Sequence, residues 1–477
     1  MSLLWTSEAL VAATGGRPLG NMPEGIPGIS IDTRSLKPGE AFFAIKGEVH
    51  DGHDFATAAM AAGAGILVVA EGRLPGLGRS SVPMIVVHDV LAALEKVGAA
   101  ARARSKAKII AVTGSVGKTT TKEALRHVLS AVGKVHASDK SFNNHWGVPL
   151  TLARLPEDAD YGVFEIGMNH PGEIRPLVGL VRPHIAIVTL IAAAHLGFFR
   201  NLDEIARAKA EIFEGVERGG HAVLNRDDER FKLLEKLARA AGIDHVAGFG
   251  EHAQSKFRLL KVKLGPESST ITAEIAGDEI VARIGSPGRH IVQNVLAVLG
   301  AAHLAGADIA RVAAALADLT PESGRGRRHV LHHPGGPITL IDESYNANPA
   351  SMKAAIELLD ASPVEGKGRR IAVLGDMLEL GDHAPKLHAG LADIITATST
   401  DLVLLAGPKM KALADRLGTE RRTEYRPDAE ALKPLLLEIV QPGDTVMIKS
   451  SKGIGFSKLV DALIKQFPAE AAEPASV

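Results

Sequence analysis

The chain has 477 residues, 46% apolar and 23% charged, with 54 basic against 55 acidic side chains and no cysteine. That length exceeds one compact core and points to about three domains. The near-zero net charge gives no footprint for nucleic acid or an anionic membrane surface, and the absent thiols exclude a disulfide framework, as suits a reducing cytoplasm.

Aromatic residues at 4%, beside plentiful Ala and Gly, favour helices packed closely on parallel sheets over an all-β design. The opening Met1-Ser-Leu-Leu-Trp-Thr-Ser-Glu8 has no basic stretch leading into an apolar one, and no later run is long enough to span a membrane. A cytoplasmic protein is expected.

Up to Ala107, turn-rich segments alternate with short apolar runs: Ile29 to Arg34, the turn Lys37-Pro-Gly39, Ala41 to Ile45, a helix from Phe55 to Ala62 and a strand from Gly65 to Val69. An Ala-rich helix from Ala92 to Arg104 serves as connector. Polar residues gather where two strand-like runs end: Asp32, Thr33 and Arg34, then Lys46, Asp51 and His53. Binding groups concentrate on such loops, although a solvated turn accounts equally well for any one of them.

The apolar run Ile109 to Val112 then breaks into Thr113-Gly-Ser-Val-Gly-Lys-Thr-Thr120, followed by a helix-compatible run from about Lys122 to Val132. Strand, glycine-rich loop and helix make a phosphate cradle. Gly114 and Gly117 allow main-chain N–H groups to turn inward on an anion, flanked by Ser115 and Val116. The helix N-terminus and Lys118 supply positive charge, and Thr119 is placed to ligate magnesium. Val112 stands where the commonest version of the motif has its first Gly, so this loop is the shorter Gly-x-x-Gly-Lys-Thr form.

Beyond it, Val135 to Pro149 reads as a polar loop containing Asn143 and Asn144, before a helix or turn from Leu150 to Leu155. Tyr161 to Ile166 and Ile185 to Leu190 are buried-strand candidates, with Glu165 near the end of the first and His195 just past the second. Near-continuous apolar strands separated by helices imply a parallel sheet, whose ligands sit outside the carboxyl ends of its strands. Glu165 and His195 therefore share an edge with the phosphate loop. A helix from Leu202 to Phe213 presents Lys209, Ala222 to Asn225 reads as a strand, Lys256 to Ile284 as an antiparallel hairpin, and Gly288 to Asn294 as the entry to a helix ending near Leu304.

The Pro- and Gly-rich stretch Thr320 to Gly326 marks a boundary. After it, strands at Ile338 to Ile341, Ile371 to Leu374, Leu402 to Leu405 and Thr445 to Ile448 alternate with helices at Pro349 to Leu359, Ala384 to Ala397, Ala429 to Ile439 and Phe456 to Gln466. This is a second doubly wound unit without a phosphate loop. The expected domains are 1–107, 108–320 and 321–477, with the Ala-, Glu- and Pro-rich stretch 468–477 disordered.

Glu165 and His195 suit a magnesium shell, though His is an unusual choice for that cation. Lys209 is odder, because ammonium repels metal. It must contact phosphate oxygens or be chemically altered, unless it is an ordinary surface lysine.

In these motifs the chain resembles the ATP-dependent Mur ligases of peptidoglycan synthesis, together with the folylpolyglutamate synthetases. The shared elements are the loop Thr113 to Thr120, the Glu165 strand, His195, the Ala208-Lys209 helix, Asn294, and a Gly-Arg before the strand ending in Asp342. The resemblance implies an α/β fold of three domains: an N-terminal α/β substrate domain, a central P-loop ATPase-like doubly wound sheet and a C-terminal Rossmann-like domain. It implies ATP and Mg²⁺, with the loop, Asn294, Arg325 and Asp342 as nucleotide contacts. Lys118, Glu165, His195 and Lys209 form the catalytic set, and Thr119, Glu165, His195 and a carbamylated Lys209 hold magnesium.

Stretches specific to one branch of the family are Asp342-Glu-Ser-Tyr-Asn-Ala-Asn-Pro-Ala-Ser-Met352, Gly375-Asp-Met-Leu-Glu-Leu-Gly381, Asn143-Asn-His-Trp-Gly-Val-Pro149, Glu165-Ile-Gly-Met-Asn-His-Pro-Gly-Glu173, and Asp32-Thr-Arg34 with Asp51-Gly-His-Asp-Phe55. They imply small-molecule substrates, a UDP-linked muramoyl tripeptide and D-alanyl-D-alanine, joined through an acyl phosphate by a monomer. Asp32, Thr33, Arg34 and Lys46 would meet the UDP end, Asn143 and Asn144 the sugar-peptide, and Tyr345, Asn346 and Asn348 the dipeptide region. One departure is Lys449-Ser-Ser-Lys452, where the family typically has Lys-Gly-Ser-Arg. Another ligase of the superfamily, an inactive nucleotide-binding scaffold and a simple ATP hydrolase are the competing readings.

Overall fold

Nine strands form the sheet at the centre of the computed structural model, which describes residues 3–78, 81–139, 141–419 and 421–468. Their order is Asp278–Ile284, Ser269–Ile275, Phe257–Leu264, His245–Gly250, His221–Asn225, Ile185–Val188, Lys108–Thr113, Tyr161–Glu165 and Val135–Ala137. From Val135–Ala137 across to Phe257–Leu264 the strands run parallel. Their continuous apolar composition follows from burial on both faces: Ile109, Ile110, Ala111 and Val112 are all 0% exposed.

The phosphate-loop strand lies between its two later partners, with Glu165 beside Val112 on one side and Val188 beside Thr113 on the other. Successive crossovers therefore leave this strand in opposite directions, and the crevice opens where they part. The segment expected as one hairpin, Lys256 to Ile284, is a three-stranded antiparallel meander. The turn Ala276-Gly277 supplies the extra reversal, with φ of 55° and 105°. The helix after the phosphate loop is Lys118–Ser130 rather than starting near Lys122. Its first turn holds the β-branched run Thr119-Thr120-Thr121, poor helix formers by themselves, which the closing loop places there.

The N-terminal unit carries a five-stranded sheet in the order Arg17–Leu19, Met84–Val87, Ile66–Ala70, Ala41–Phe43 and Ile29–Ser30, all parallel but the first. The helix Val90–Arg104 fastens this unit to the centre. Gly98 allows the close approach, since a Cβ there would lie 3.1 Å from the Pro149 carbonyl oxygen. Arg102, only 5% exposed, donates to the carbonyls of Val181 (2.8 Å) and Arg182 (2.7 Å), the otherwise unpaired C-terminal end of helix Ile174–Val181.

The C-terminal unit has six strands in the order Arg327–His333, Gly336–Glu343, Thr445–Lys449, Arg370–Gly375, Leu402–Ala406 and Thr423–Arg426. Only the first pair is antiparallel. The helix expected over Ala384 to Ala397 is divided at Gly390 into Ala384–Ala389 and Leu391–Thr396. Of the stretch expected to be disordered, 469–477 lies outside the described residues. No helix among the described residues is long and apolar enough to cross a membrane.

Candidate active site

The phosphate loop is held open by backbone geometry and by one hydroxyl. Gly114 and Gly117 take φ of 148° and 87°, and neither has room for a side chain. A Cβ on Gly114 would lie 1.9 Å from Thr189 Oγ1, and one on Gly117 2.7 Å from Asn294 Oδ1. Thr189 Oγ1 donates to the Val116 carbonyl at 2.5 Å, and Ser115 N–H to the Leu190 carbonyl at 2.7 Å. These bonds fix the loop to the neighbouring strand. Thr189 was not singled out from the sequence, where it reads as the polar end of an apolar run.

Gly117 caps the helix Lys118–Ser130, so the first N–H groups of that helix open toward the loop. Lys118 Nζ donates to the Gly114 carbonyl at 2.8 Å. Burial lowers the pKa of Lys118 and a nearby Arg325 adds to the effect, while Glu165 works against both. Thr119 is buried in the same turn, at 3% exposure.

Three oxygens at this edge are buried without a hydrogen-bond partner: Thr113 Oγ1, Ser115 Oγ and Glu165 Oε2. Each orphaned polar atom costs about 1–3 kcal/mol, and three together at a strand edge mark a place built for a polar occupant. Glu165 Oε1 accepts from Asn143 Nδ2 at 2.7 Å, which aims the carboxylate and leaves Oε2 as the open ligand. No group of three or more His, Asp or Glu side chains that could hold a metal ion comes together among the described residues. The donors present, a carboxylate oxygen and a Thr hydroxyl, fit a hard cation that completes its shell with phosphate oxygens.

Lys209 is buried to 1% exposure on helix Leu202–Ala210 and makes no hydrogen bond or ion pair among the described residues. Burial first, and the Lys118 charge second, push its pKa well below the ordinary lysine value. It is a buried lysine whose charged form desolvation disfavours, not a surface lysine. His195 sits at φ 59°, with Nδ1 2.5 Å from Glu379 Oε2 of the C-terminal unit. The contact with the His195 ring holds the Glu379 carboxyl below its usual range.

From the C-terminal side, Arg325 reaches across to Ser141 Oγ at 3.4 Å and stacks on Tyr345, its Cζ 4.4 Å from the ring centroid. Lys452 Nζ lies 5.1 Å from the same ring. The departure at Lys452 thus keeps a cation over Tyr345. Asp342 is 2% exposed, and its carboxylate accepts from Ser323 Oγ, Gly324 N and both N and Oγ of Ser344, at 2.6–3.1 Å. It organises the turn that carries Arg325.

The remaining expected substrate residues have local partners. Asn348 caps helix Pro349–Asp360 in a capping box with Ser351, Asn346 Oδ1 accepts from Ala347 N, and Asn144 Oδ1 accepts from Gly147 N. In the N-terminal unit Asp32 pairs with exposed Arg34 at 2.6 Å, Thr33 is half-buried, and Lys46 bridges to Asp51 through its backbone. Asp51 in turn pairs with His53 and Arg73.

Three family models match consecutive parts of the chain: the Mur ligase family catalytic domain over residues 25–102, the Mur ligase middle domain over 112–302, and the Mur ligase glutamate ligase domain over 326–452. The chain is 32% identical to the UDP-N-acetylmuramoyl-tripeptide--D-alanyl-D-alanine ligase of Rickettsia prowazekii (strain Madrid E), over 96% of this chain and 99% of that one. It is 34% identical to the protein of the same name from Escherichia coli (strain K12), over 91% and 93%. A crystal structure of MurF from Acinetobacter baumannii matches with a TM-score of 0.82 and 30% identity, covering 97% of this chain and 99% of that one. With the phosphate loop, the buried Glu165 and Lys209 and three α/β units in this order, the chain belongs to the Mur ligase family of ATP-dependent ligases.

Proposed function

We propose that the protein joins D-alanyl-D-alanine to the terminal carboxylate of a UDP-N-acetylmuramoyl tripeptide at the expense of ATP, in cytoplasmic synthesis of peptidoglycan precursor. The observation that carries the chemistry is Glu165 Oε2, buried and unpartnered beside the phosphate loop. The substrates come from the names of the full-length relatives.

The substrate carboxylate attacks the γ-phosphorus of ATP, forming a C–O–P bond and releasing ADP. The dipeptide amine then attacks the acyl carbon, phosphate leaves, and the amine gives up a proton. Such a reaction is governed by positioning and by neutralising charge on the transferring group. Lys118 and the N–H groups of 114–119 hold the β- and γ-phosphates, while Asn294 and Arg325 border the nucleotide, with Asp342 fixing the Arg325 turn. Thr119 and Glu165 would hold one magnesium, and His195 and Lys209 a second. Bound there, the cation screens phosphate charge.

Lys209 can serve such a shell only as an anion. Its neutral amine adds to CO₂, forming an N–C bond and losing a proton, and the carbamate so made faces the Lys118 cation. Asp32, Thr33, Arg34 and Lys46 are assigned to the UDP end, Asn143 and Asn144 to the sugar-peptide, and Tyr345 with Asn346 and Asn348 to the dipeptide. The working units are 1–107, 108–320 and 321–477, acting as a monomer.

A substrate panel tests the reading. Incubation with ATP, Mg²⁺, D-alanyl-D-alanine and UDP-muramoyl tripeptide is expected to give a pentapeptide product by mass. Extension of a folate by glutamate instead would move the assignment to a folylpolyglutamate synthetase.

A further inference from the structure

Two of the four non-glycine residues with positive φ among the described residues face each other. His195 (φ 59°) belongs to the central unit and Glu379 (φ 63°) to the C-terminal one, and His195 Nδ1 lies 2.5 Å from Glu379 Oε2. Strained backbone persists only where its surroundings over-determine it, and it gathers at functional sites.

The surroundings here are a backbone seam. Gly197 N–H donates to the Glu379 carbonyl at 2.9 Å. A Cβ on Gly381 would lie 2.8 Å from the Gly197 Cα, so both loops meet glycine on glycine. Behind the seam, the loop is fixed by two side chains of its own unit. Met377 N–H donates to His388 Nε2 at 2.9 Å, and Leu378 N–H to Ser451 Oγ at 2.9 Å. An exposed ion pair is worth about 0–1 kcal/mol and needs no such construction. The stretch Gly375 to Gly381, distinctive in the sequence yet given no task by the reaction, is what delivers Glu379.

We propose that Glu379 is a positioning residue for His195, supplied by the C-terminal unit, so that His195 is set for the phosphate-transfer site only when that unit is docked through the Gly197–Gly381 seam. A histidine that serves a metal commonly gives its second ring nitrogen to a carboxylate, which fixes the ring's orientation. With Nδ1 engaged by Glu379, Nε2 is the nitrogen left to act. The inference rests on the reading that places His195 in that site.

The test uses full-length Glu379→Ala and Glu379→Gln, each alone and combined with His195→Ala. Glu379→Ala is expected to lower kcat about 10- to 100-fold, raise the Mg²⁺ concentration needed for half-maximal rate, and leave the ATP KM within about twofold. Glu379→Gln, which keeps an acceptor oxygen, should recover much of the loss. Added to His195→Ala, Glu379→Ala should cost less than about twofold more, the signature of two residues acting as one. A full additional loss in that background would overturn the proposal.

A second readout needs no turnover. Hydrogen exchange across 195–199 in the protein without substrates is expected to quicken in Glu379→Ala, and unchanged exchange there would overturn the seam. If the wild type shows no ligase rate, the functional reading fails, while the exchange measurement still decides whether Glu379 holds His195.

Discussion

Lys209 runs hardest against ordinary preference, since lysine is almost never fully buried without a partner. Here it has 1% exposure, and the charge that bears on it is that of another lysine, Lys118. Desolvation favours the neutral amine, the form that adds to CO₂. Lys209→Ala is therefore expected to lower turnover by about 10²-fold or more, the scale of one lost charge-stabilising group. Added formate or acetate should restore part of it. No rescue, with rates equally indifferent to removal of CO₂ from the buffer, would leave Lys209 a structural residue.

Asp51 offers a test of stability rather than turnover. Burial opposes its charge, but hydrogen bonds from His53 and Arg73 outweigh that and hold the carboxyl at about 2 instead of 3.8. A carboxyl depressed by folding stabilises fully above its unfolded value and loses that contribution as pH falls through the folded one. Asp51→Asn should thus destabilise the N-terminal unit by about 1 kcal/mol at pH 7, the shift being discounted for solvent screening, with the gap closing between pH 4 and pH 2. Denaturant melts at several pH values measure it, and a gap independent of pH would contradict the pairing.

At the scale of elements, the phosphate loop depends on backbone conformations that only glycine takes without strain. Gly117→Ala puts a side chain at φ 87° against Asn294. A left-handed non-glycine residue costs about 1–2 kcal/mol, so ATP affinity should fall about tenfold with the melting temperature nearly unchanged. Equal ATP binding by the variant would argue against the loop as the nucleotide site.

Much of the central sheet is legible in the sequence. Strands such as Lys108–Thr113 and Ile185–Val188 announce themselves because both faces are buried, and each is followed by the group it presents. Edge strands do not. Arg327–His333 has one deeply buried side chain, Leu331, and Thr423–Arg426 has none, so neither leaves an apolar pattern. The helix over Phe231–Ala240 and the strand His245–Gly250 were likewise not anticipated. Within the site, Glu165 and Lys118 were readable from local motif chemistry. Thr189 and Glu379 were not, because each acts on a partner far away in sequence: Thr189 reaches Val116, 73 residues away, and Glu379 reaches His195 across two domains.

In the proposed reaction, the central sheet supplies the phosphate and metal groups while the outer units bring substrates to it. Arg102 ties the N-terminal unit to the centre through two carbonyls at a helix end. Hydrogen bonds from a charged donor contribute about 1.5–3 kcal/mol. Arg102→Ala should lower stability by about that much and raise the KM for the UDP substrate, leaving the KM for ATP near wild type. A change confined to ATP would contradict this division of labour.

In the proposed reaction, closure of the C-terminal unit over the loop would exclude water from an acyl phosphate that would otherwise hydrolyse. Phosphate release from ATP should therefore be conditional. The direct measurement is phosphate release with Mg²⁺, with and without UDP-muramoyl tripeptide and D-alanyl-D-alanine, with products weighed by mass spectrometry. Rapid release is expected only with both substrates present, one phosphate for each pentapeptide formed. Release at the same rate with neither substrate would contradict it and make the protein a simple ATP hydrolase.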